Sequence, residues 1–156
     1  MLVQKRHMEL LRLSLLIFTK KNNVEKSVII FKSDDINNHW MWRYQMAESI
    51  AKKIDKDEMG IKAIYLIGST KNANSGAASD IDLMIHYDGD EHHKVLLQKW
   101  IDGWSKCLAS LNDMLTGHHD RRGLIDLHLI TDEDVKEANS YTVKIGAHTD
   151  PARKLL

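Results

Sequence analysis

Hydrophobic positions along the chain follow two different spacings, one typical of strands and one typical of helices. Short apolar runs rich in β-branched residues predict strands at 27–32, 61–68, 80–87 and 123–131. Apolar residues that recur every three or four positions predict helices at 33–54, 91–116 and 132–140. Ser33, Asp34 or Asp35 is the expected cap of the first of these helices, and Thr131 or Asp132 that of the last.

The N-terminal segment has a different pattern, because it is apolar on almost every side. Residues 2–20 are predicted to form a helix with a narrow polar stripe of Lys5, Glu9 and Arg12. Such a helix must be buried in its own core or against another chain, and in the second case it forms a homodimer or partner-protein surface. Basic residues before an apolar run resemble a targeting signal, but Glu9 and Arg12 interrupt the run. It is also too short to span a membrane, so we expect no membrane association.

The C-terminal part is predicted to contain an extended piece at 141–148 and a final helical turn that begins at Asp150-Pro151. No internal repeat or linker interrupts the chain, which predicts a single domain over residues 1–156. Helices and strands alternate irregularly, which is typical of an α+β or mixed α/β fold with layered helices and a sheet.

Composition narrows the class of protein. The chain has 156 residues, 43% of them hydrophobic and 28% charged, which is ordinary for a globular domain. Its 22 basic residues balance its 22 acidic residues, so no overall positive field points to nucleic acid. The lone Cys107 excludes an intrachain disulfide, and a reducing cytoplasm is the expected location.

Two carboxylates interrupt the apolar run in "SDIDLMIHY". Side chains alternate along a strand, so Asp80 and Asp82 share one face while the apolar residues point to the other. Asp126 and His128 share a face of the strand "GLIDLHLIT" in the same way. If the two strands are neighbours, three carboxylates converge. The alternative is that the pair only provides turn chemistry at the start of a strand, with Asp80 capping a turn and Asp82 facing solvent on an edge strand.

Converging carboxylates repel one another, and bound hard cations relieve that repulsion. Oxygen ligands with open positions for water and phosphate favour Mg²⁺, and two such ions can hold the attacking and leaving oxygens at phosphorus. Gly68-Ser69 ends the preceding strand, and a glycine turn with a hydroxyl lets backbone N–H groups approach phosphate closely. The sequence therefore predicts a metal and phosphate site.

Several other polar and aromatic residues have two interpretations. His86 and His128 lie on the faces that carry the carboxylates, but a half-buried structural role is expected for both. Lys144 and the pair Arg121-Arg122 could contact phosphate, although a solvated surface position is the default. The residues Trp40, Trp100 and Trp104 have helical spacing and are expected in the core rather than stacked on a base.

The segments "LIGS…SDIDLMI" and "LIDLHLI" together resemble the polymerase-β-type nucleotidyltransferase superfamily. The resemblance covers 61–131 and leaves residues 1–60 as a helical N-terminal extension. It implies a mixed sheet flanked by helices and transfer of a nucleoside monophosphate from an NTP to a hydroxyl, with release of pyrophosphate. It also implies Mg²⁺, most simply as two ions, with Mn²⁺ as the alternative ion.

The resemblance also implies roles for individual residues. The metal ligands and catalytic carboxylates are Asp80, Asp82 and Asp126. The residues that hold the phosphates are Gly68, Ser69 and Lys71. Many small members carry an Arg shortly after Gly-Ser, where this chain has Lys71. The acceptor is left open between a protein, a small molecule and an RNA end.

A binding module is the second function class. Such a domain would hold a nucleotide or a partner protein with little or no turnover, and a small antitoxin-like nucleotidyltransferase that modifies a partner protein lies between the two classes. The absent Arg favours this alternative. The retained carboxylates Asp80, Asp82 and Asp126 favour an enzyme.

Overall fold

The computed structural model describes residues 36–156, with side chains from His39 onward. The helix predicted at 2–20 and the strand predicted at 27–32 lie outside the described residues. Within the described part, helices and a mixed sheet confirm an α+β fold. None of the helices there combines the length and hydrophobicity that a bilayer crossing requires.

A four-stranded mixed sheet forms the centre of the molecule. Its strands are β1 (Ile61–Ile67), β2 (Ile81–Tyr87), β3 (Ile125–Ile130) and β4 (Arg153–Lys154). In space they follow the order β3-β2-β1-β4. β1 is antiparallel to both β2 and β4, whereas β2 and β3 run parallel. The first three strands confirm the predicted positions to within two residues at each end.

The helices are α1 (Ile36–Lys53), α2 (Gly68–Lys71), α3 (Glu91–Thr116) and α4 (Asp132–Glu137), followed by a 3₁₀ turn at Thr142–Lys144. The long helix α3 forms the crossover that the parallel pair requires. Asp90 caps its start through the backbone N–H of His93, and Gly117 ends it in the left-handed conformation at φ 72°. Thr131 caps α4, as predicted.

One face of the sheet packs on α1 and α3 and forms the main core. Leu83 and Ile85 of β2 are buried there with Ile64 of β1 and Trp104 of α3. At the start of α1, Trp42 takes the core position that was expected of Trp40: Trp40 is only half-buried, whereas Trp42 is 2% exposed. Two polar residues, His39 and Arg43, occupy the buried stripe and hide it from a search for apolar spacing.

The opposite face carries a second, smaller cluster of buried apolar residues. Ile67, Met84 and Ile130 form it, and Ile145 and Ala152 pack against it. Because side chains alternate along β2 and β3, this is also the face of Asp82, Asp126 and His128. The C-terminal segment, residues 141–156, therefore covers the sheet face that carries the candidate site.

The C-terminal segment differs from its prediction in two places. The extended piece predicted at 141–148 is wrong, because Asn139 Oδ1 accepts from the backbone N–H groups of Tyr141 and Thr142 and winds the chain into the 3₁₀ turn. The helical turn predicted at Asp150-Pro151 is wrong too. The free edge of β1 recruits this segment as β4, and Leu155 donates to the Ile64 carbonyl at 2.8 Å.

Candidate metal centre

Strand register brings two of the predicted carboxylates together. In the parallel pair of β2 and β3, Asp82 lies opposite Asp126, and Met84 lies opposite His128. Residues directly opposite each other on paired strands have neighbouring side chains, so the strand register alone brings the two carboxylates close together. The condition for convergence, that the two acid-bearing strands are neighbours, is therefore met for Asp82 and Asp126.

Three side chains form a group with metal-binding geometry. One ligand atom from each of Asp82, Asp126 and His128 lies within 4.8 Å of the other two. Among residues 36–156, Asp82 accepts no hydrogen bond through its carboxylate and forms no ion pair. Two carboxylates with free lone pairs fit a divalent cation, and the imidazole of His128 adds a nitrogen donor. The residues present therefore fit a metal ion.

The charges around Asp82 favour a bound cation. Burial raises the pKa of Asp82, and the neighbouring Asp126 carboxylate raises it further, while His128 and Lys144 act in the opposite direction. The ionised form of Asp82 is thus held at an energetic cost that a divalent ion would relieve. Lys144 is a cation near this carboxylate pair, although a solvated surface position was its default expectation.

Asp80 lies just before β2, outside the three-residue group. Burial raises its pKa, and the carboxylates of Asp120 and then Asp126 add to the rise, whereas Arg122 and Arg43 oppose it. Asp80 is therefore electrostatically part of the same acidic region. Its ligand atoms are not within the distance that joins the three grouped residues.

A buried arginine fixes the loop that leads into Asp80. Arg43 is fully buried and donates to the carbonyls of Ala77 at 3.1 Å and Ser79 at 3.0 Å, and to Asn112 Oδ1 at 2.9 Å. Burial lowers the pKa of Arg43 to about 10, so the guanidinium stays protonated at neutral pH. The loop immediately before Asp80 is held by a cation that the sequence did not indicate.

The glycine turn packs directly against the metal-binding group. Gly68 has φ +70°, and a methyl group built on it would overlap the Asp82 carboxylate. Only glycine combines that backbone conformation with so close an approach. Ser69 and Thr70 are each hydrogen-bonded through their hydroxyls to Ser75 Oγ, at 3.2 and 2.9 Å, which ties the turn to its own loop.

Lys71 is already engaged by an acidic partner. Its ammonium lies 2.5 Å from Asp150 Oδ1, and Lys144 lies 3.8 Å from Asp150 Oδ2. Asn72 also donates to Asp150. The predicted phosphate-binding lysine therefore stands beside the glycine turn, but a carboxylate of the C-terminal segment occupies it.

A separate open cavity of about 500 Å³ lies between the C-terminal half of α3 and residues 119–123. Its lining includes Asp120, which raises the pKa of Asp80, so the cavity reaches the border of the acidic region. Neither Asp82 nor Asp126 lines it. The cavity and the metal-binding group therefore lie at different places. The group of two carboxylates and an imidazole is the more specific indication of a functional site.

The arrangement has the donor atoms to bind a divalent cation through the paired carboxylates beside the glycine turn. No protein-family model, no curated protein and no solved structure matches this chain. Sequence reasoning named four of the residues that meet here, Gly68, Lys71, Asp82 and Asp126. It did not assign site roles to Arg43, Asp150 or His128, although the two-residue spacing from Asp126 put His128 on the right face.

Proposed function

We propose that the chain is a metal-dependent nucleotidyltransferase that transfers a nucleoside monophosphate from an NTP to a hydroxyl acceptor and releases pyrophosphate. The observation that carries the proposal is the register match of Asp82 with Asp126 beside Gly68. Two opposed carboxylates and a glycine turn in contact with one of them are what metal-assisted phosphoryl chemistry requires.

Each residue has a defined task in this proposal. Asp82 and Asp126 hold Mg²⁺, which when bound neutralises phosphate charge and polarises the phosphorus under attack. Asp126 also accepts the proton of the acceptor hydroxyl, since it is the more exposed of the two carboxylates. Asp80 completes the negative field and is the natural ligand for a second ion, because its charge already acts on Asp82.

The triphosphate needs positive charge, and two lysines can supply it. Lys71 and Lys144 both contact Asp150 next to the glycine turn. In the proposed complex, phosphate oxygens replace the Asp150 carboxylate as the partner of these ammonium groups. Backbone N–H groups of the Gly68–Lys71 turn contribute further donors at its first residues.

One observation favours the second function class. Because Asp150 already occupies Lys71, a triphosphate must displace an internal carboxylate before it can bind. A domain that binds a nucleotide weakly, or that binds a partner protein instead, would tolerate this competition better than a fast enzyme would. The two classes differ in turnover, which the following experiment measures.

The test is label transfer from NTPs labelled at the α-phosphate. The protein is incubated with Mg²⁺, a cell extract and each of the four NTPs in turn, and pyrophosphate release is followed in parallel. We expect transfer with the wild-type chain and a loss of at least about 100-fold in Asp82→Asn, since a metal ligand is removed. The labelled band also reports whether the acceptor is a protein, a small molecule or an RNA end.

Asp102→Asn is the matched control, because Asp102 is an exposed carboxylate on α3 whose one ion-pair partner within residues 39–156 is Lys106, at 2.7 Å. It should retain full activity. Equal activity in Asp82→Asn and the wild type would refute the enzyme. Metal-dependent NTP binding without pyrophosphate release would instead support the second function class, a nucleotide-binding module without turnover.

A further inference from the structure

We infer that His128 is a third ligand of the metal ion, so that the site takes a first-row transition ion such as Mn²⁺ in preference to Mg²⁺. The inference rests on the proposed metal site and adds the identity of the ion. It starts from the group in which Asp82, Asp126 and His128 place ligand atoms within 4.8 Å of one another.

The ring of His128 is held in one orientation. It stacks on Tyr141 with 4.2 Å between ring centroids and an interplanar angle of 27°. Its Nε2 lies 3.3 Å from Asp126 Oδ2, and the side chain is only 16% exposed. A ring fixed by stacking presents its nitrogen to the carboxylates without further loss of side-chain freedom.

Contact between His128 and Asp126 differs from the other histidine–aspartate pairs that the structure describes. The rings of His86, His93 and His119 each form a hydrogen bond with an aspartate, at 2.8, 2.6 and 3.1 Å. Nε2 of His128 lies 3.3 Å from Asp126 Oδ2, which is within ion-pair range but farther apart than the atoms of those three hydrogen-bonded pairs. Two ligands of one ion have this relation, since both direct their lone pairs at the ion rather than at each other.

The donor set decides which ion is favoured. Mg²⁺ prefers oxygen ligands and keeps several waters, whereas imidazole nitrogen suits first-row transition ions. Mn²⁺ accepts carboxylate oxygens as readily as Mg²⁺ does and tolerates a nitrogen as well. Two carboxylates and one imidazole therefore favour Mn²⁺ over Mg²⁺.

The test is pulsed electron paramagnetic resonance of Mn²⁺ bound to the full-length chain, together with calorimetric titrations of Mn²⁺ and Mg²⁺. We expect a ¹⁴N coupling from a directly bound imidazole in the wild type. Labelling all histidines with ¹⁵N should replace it with a ¹⁵N coupling, and this readout needs no variant.

The variant is His128→Phe, which keeps an aromatic ring against Tyr141 and removes the nitrogen. Its matched control is His86→Phe, because His86 lies in β2, is 17% exposed and also pairs with an aspartate, Asp132. We expect His128→Phe to lose the nitrogen coupling and about tenfold in Mn²⁺ affinity while Mg²⁺ binding changes little. His86→Phe should behave as the wild type.

Mn²⁺ bound without nitrogen coupling in the wild type would overturn the inference and leave an all-oxygen metal site, with the proposed function intact. Coupling that persists in His128→Phe and disappears in His86→Phe would overturn it as well. If neither ion binds, both the inference and the proposed function fail. Label transfer with Mg²⁺ as efficient as with Mn²⁺ in a chain that binds both ions equally would refute the preference alone.

Discussion

At the scale of single residues, the most unusual feature is a fully buried arginine without an ion-pair partner among the described residues. Arg43 satisfies its guanidinium with three backbone carbonyls and with Asn112, and it lies over the Trp42 ring at 4.5 Å. Asn112 in turn donates to the Ala77 carbonyl at 2.9 Å. The planar fork of arginine is what lets one side chain reach several acceptors at once.

Arg43→Lys should therefore destabilise the protein even though it keeps the charge. A lysine has three donors and no fork, so it leaves buried carbonyls of the loop unpaired. We expect the free energy of unfolding in urea to fall by about 2–4 kcal/mol. Arg121→Lys, at an exposed position, is the control and should stay within about 0.5 kcal/mol of the wild type. Equal stability of the two variants would contradict the conclusion that the Arg43 guanidinium holds the loop before Asp80.

The sequence predicted individual site residues correctly where the alternation of side chains along a strand was enough to place them on a face of the sheet. Asp82 and Asp126 each follow the alternation of their own strand, and the pairing of the strands then brings them together. The burial of Arg43 was not predicted, because a charged residue on a helix is expected at the surface. Only the tertiary structure shows the carbonyls that accept its hydrogen bonds. The Lys71–Asp150 pair joins distant parts of the chain, so no local pattern indicates it.

At the scale of elements, the C-terminal segment shows how tertiary contacts override local preference. Residues 150–156 are held by the Asp150 ion pairs at one end and by β4 pairing with β1 at the other. Neither contact is visible in the spacing of apolar residues. The longer elements were predicted well, because α3 has apolar residues at helical spacing over its length and β1 and β2 are short apolar runs bounded by turn residues.

Acidification should release this segment. Hydrogen bonds from Lys71 and then from Asn72 hold the pKa of Asp150 below its ordinary value of about 4. A carboxyl whose pKa is lowered by folding stabilises the fold above its ordinary pKa, and the contribution is lost as the pH falls through the folded-state pKa. We expect the exchange of the Leu155 amide, corrected for intrinsic rate, to accelerate as the pH falls below about 4.

Asp150→Asn separates the charge from the backbone conformation at this position. Asp150 has φ 51°, which asparagine tolerates as well as aspartate does. In this variant the Leu155 amide should exchange faster at neutral pH and show no added acceleration in acid. A pH response that survives in Asp150→Asn would mean that another group holds the segment.

At the scale of the whole molecule, the sheet separates two cores of unequal size. The larger one lies under α1 and α3, and the smaller one lies under the C-terminal segment. Leu83 and Met84 are neighbours in β2, both fully buried, and they point into different cores. The candidate site shares a face with the smaller core, so its surroundings depend on the C-terminal segment more than on the helices.

Leu83→Ala and Met84→Ala should thus lower the free energy of unfolding by similar amounts but change local hydrogen exchange on different faces of the sheet. Each removes a buried side chain, so each should lower the free energy of unfolding by about 2–5 kcal/mol. Only Met84→Ala should accelerate hydrogen exchange at Ala152, whose N–H donates to the Lys144 carbonyl at 2.8 Å. The same acceleration in Leu83→Ala would show that the two faces unfold locally as one unit.

The parallel pairing of β2 with β3 has a consequence for the order of folding. β1 and β2 pair as near neighbours in sequence, but β3 can join them only after the whole of α3 has crossed over the sheet. Contacts that close a long loop form late, so Asp82 meets Asp126 only when most of the molecule is in place. An ion held between them would slow the unfolding of the finished molecule and have little part in how fast the chain folds.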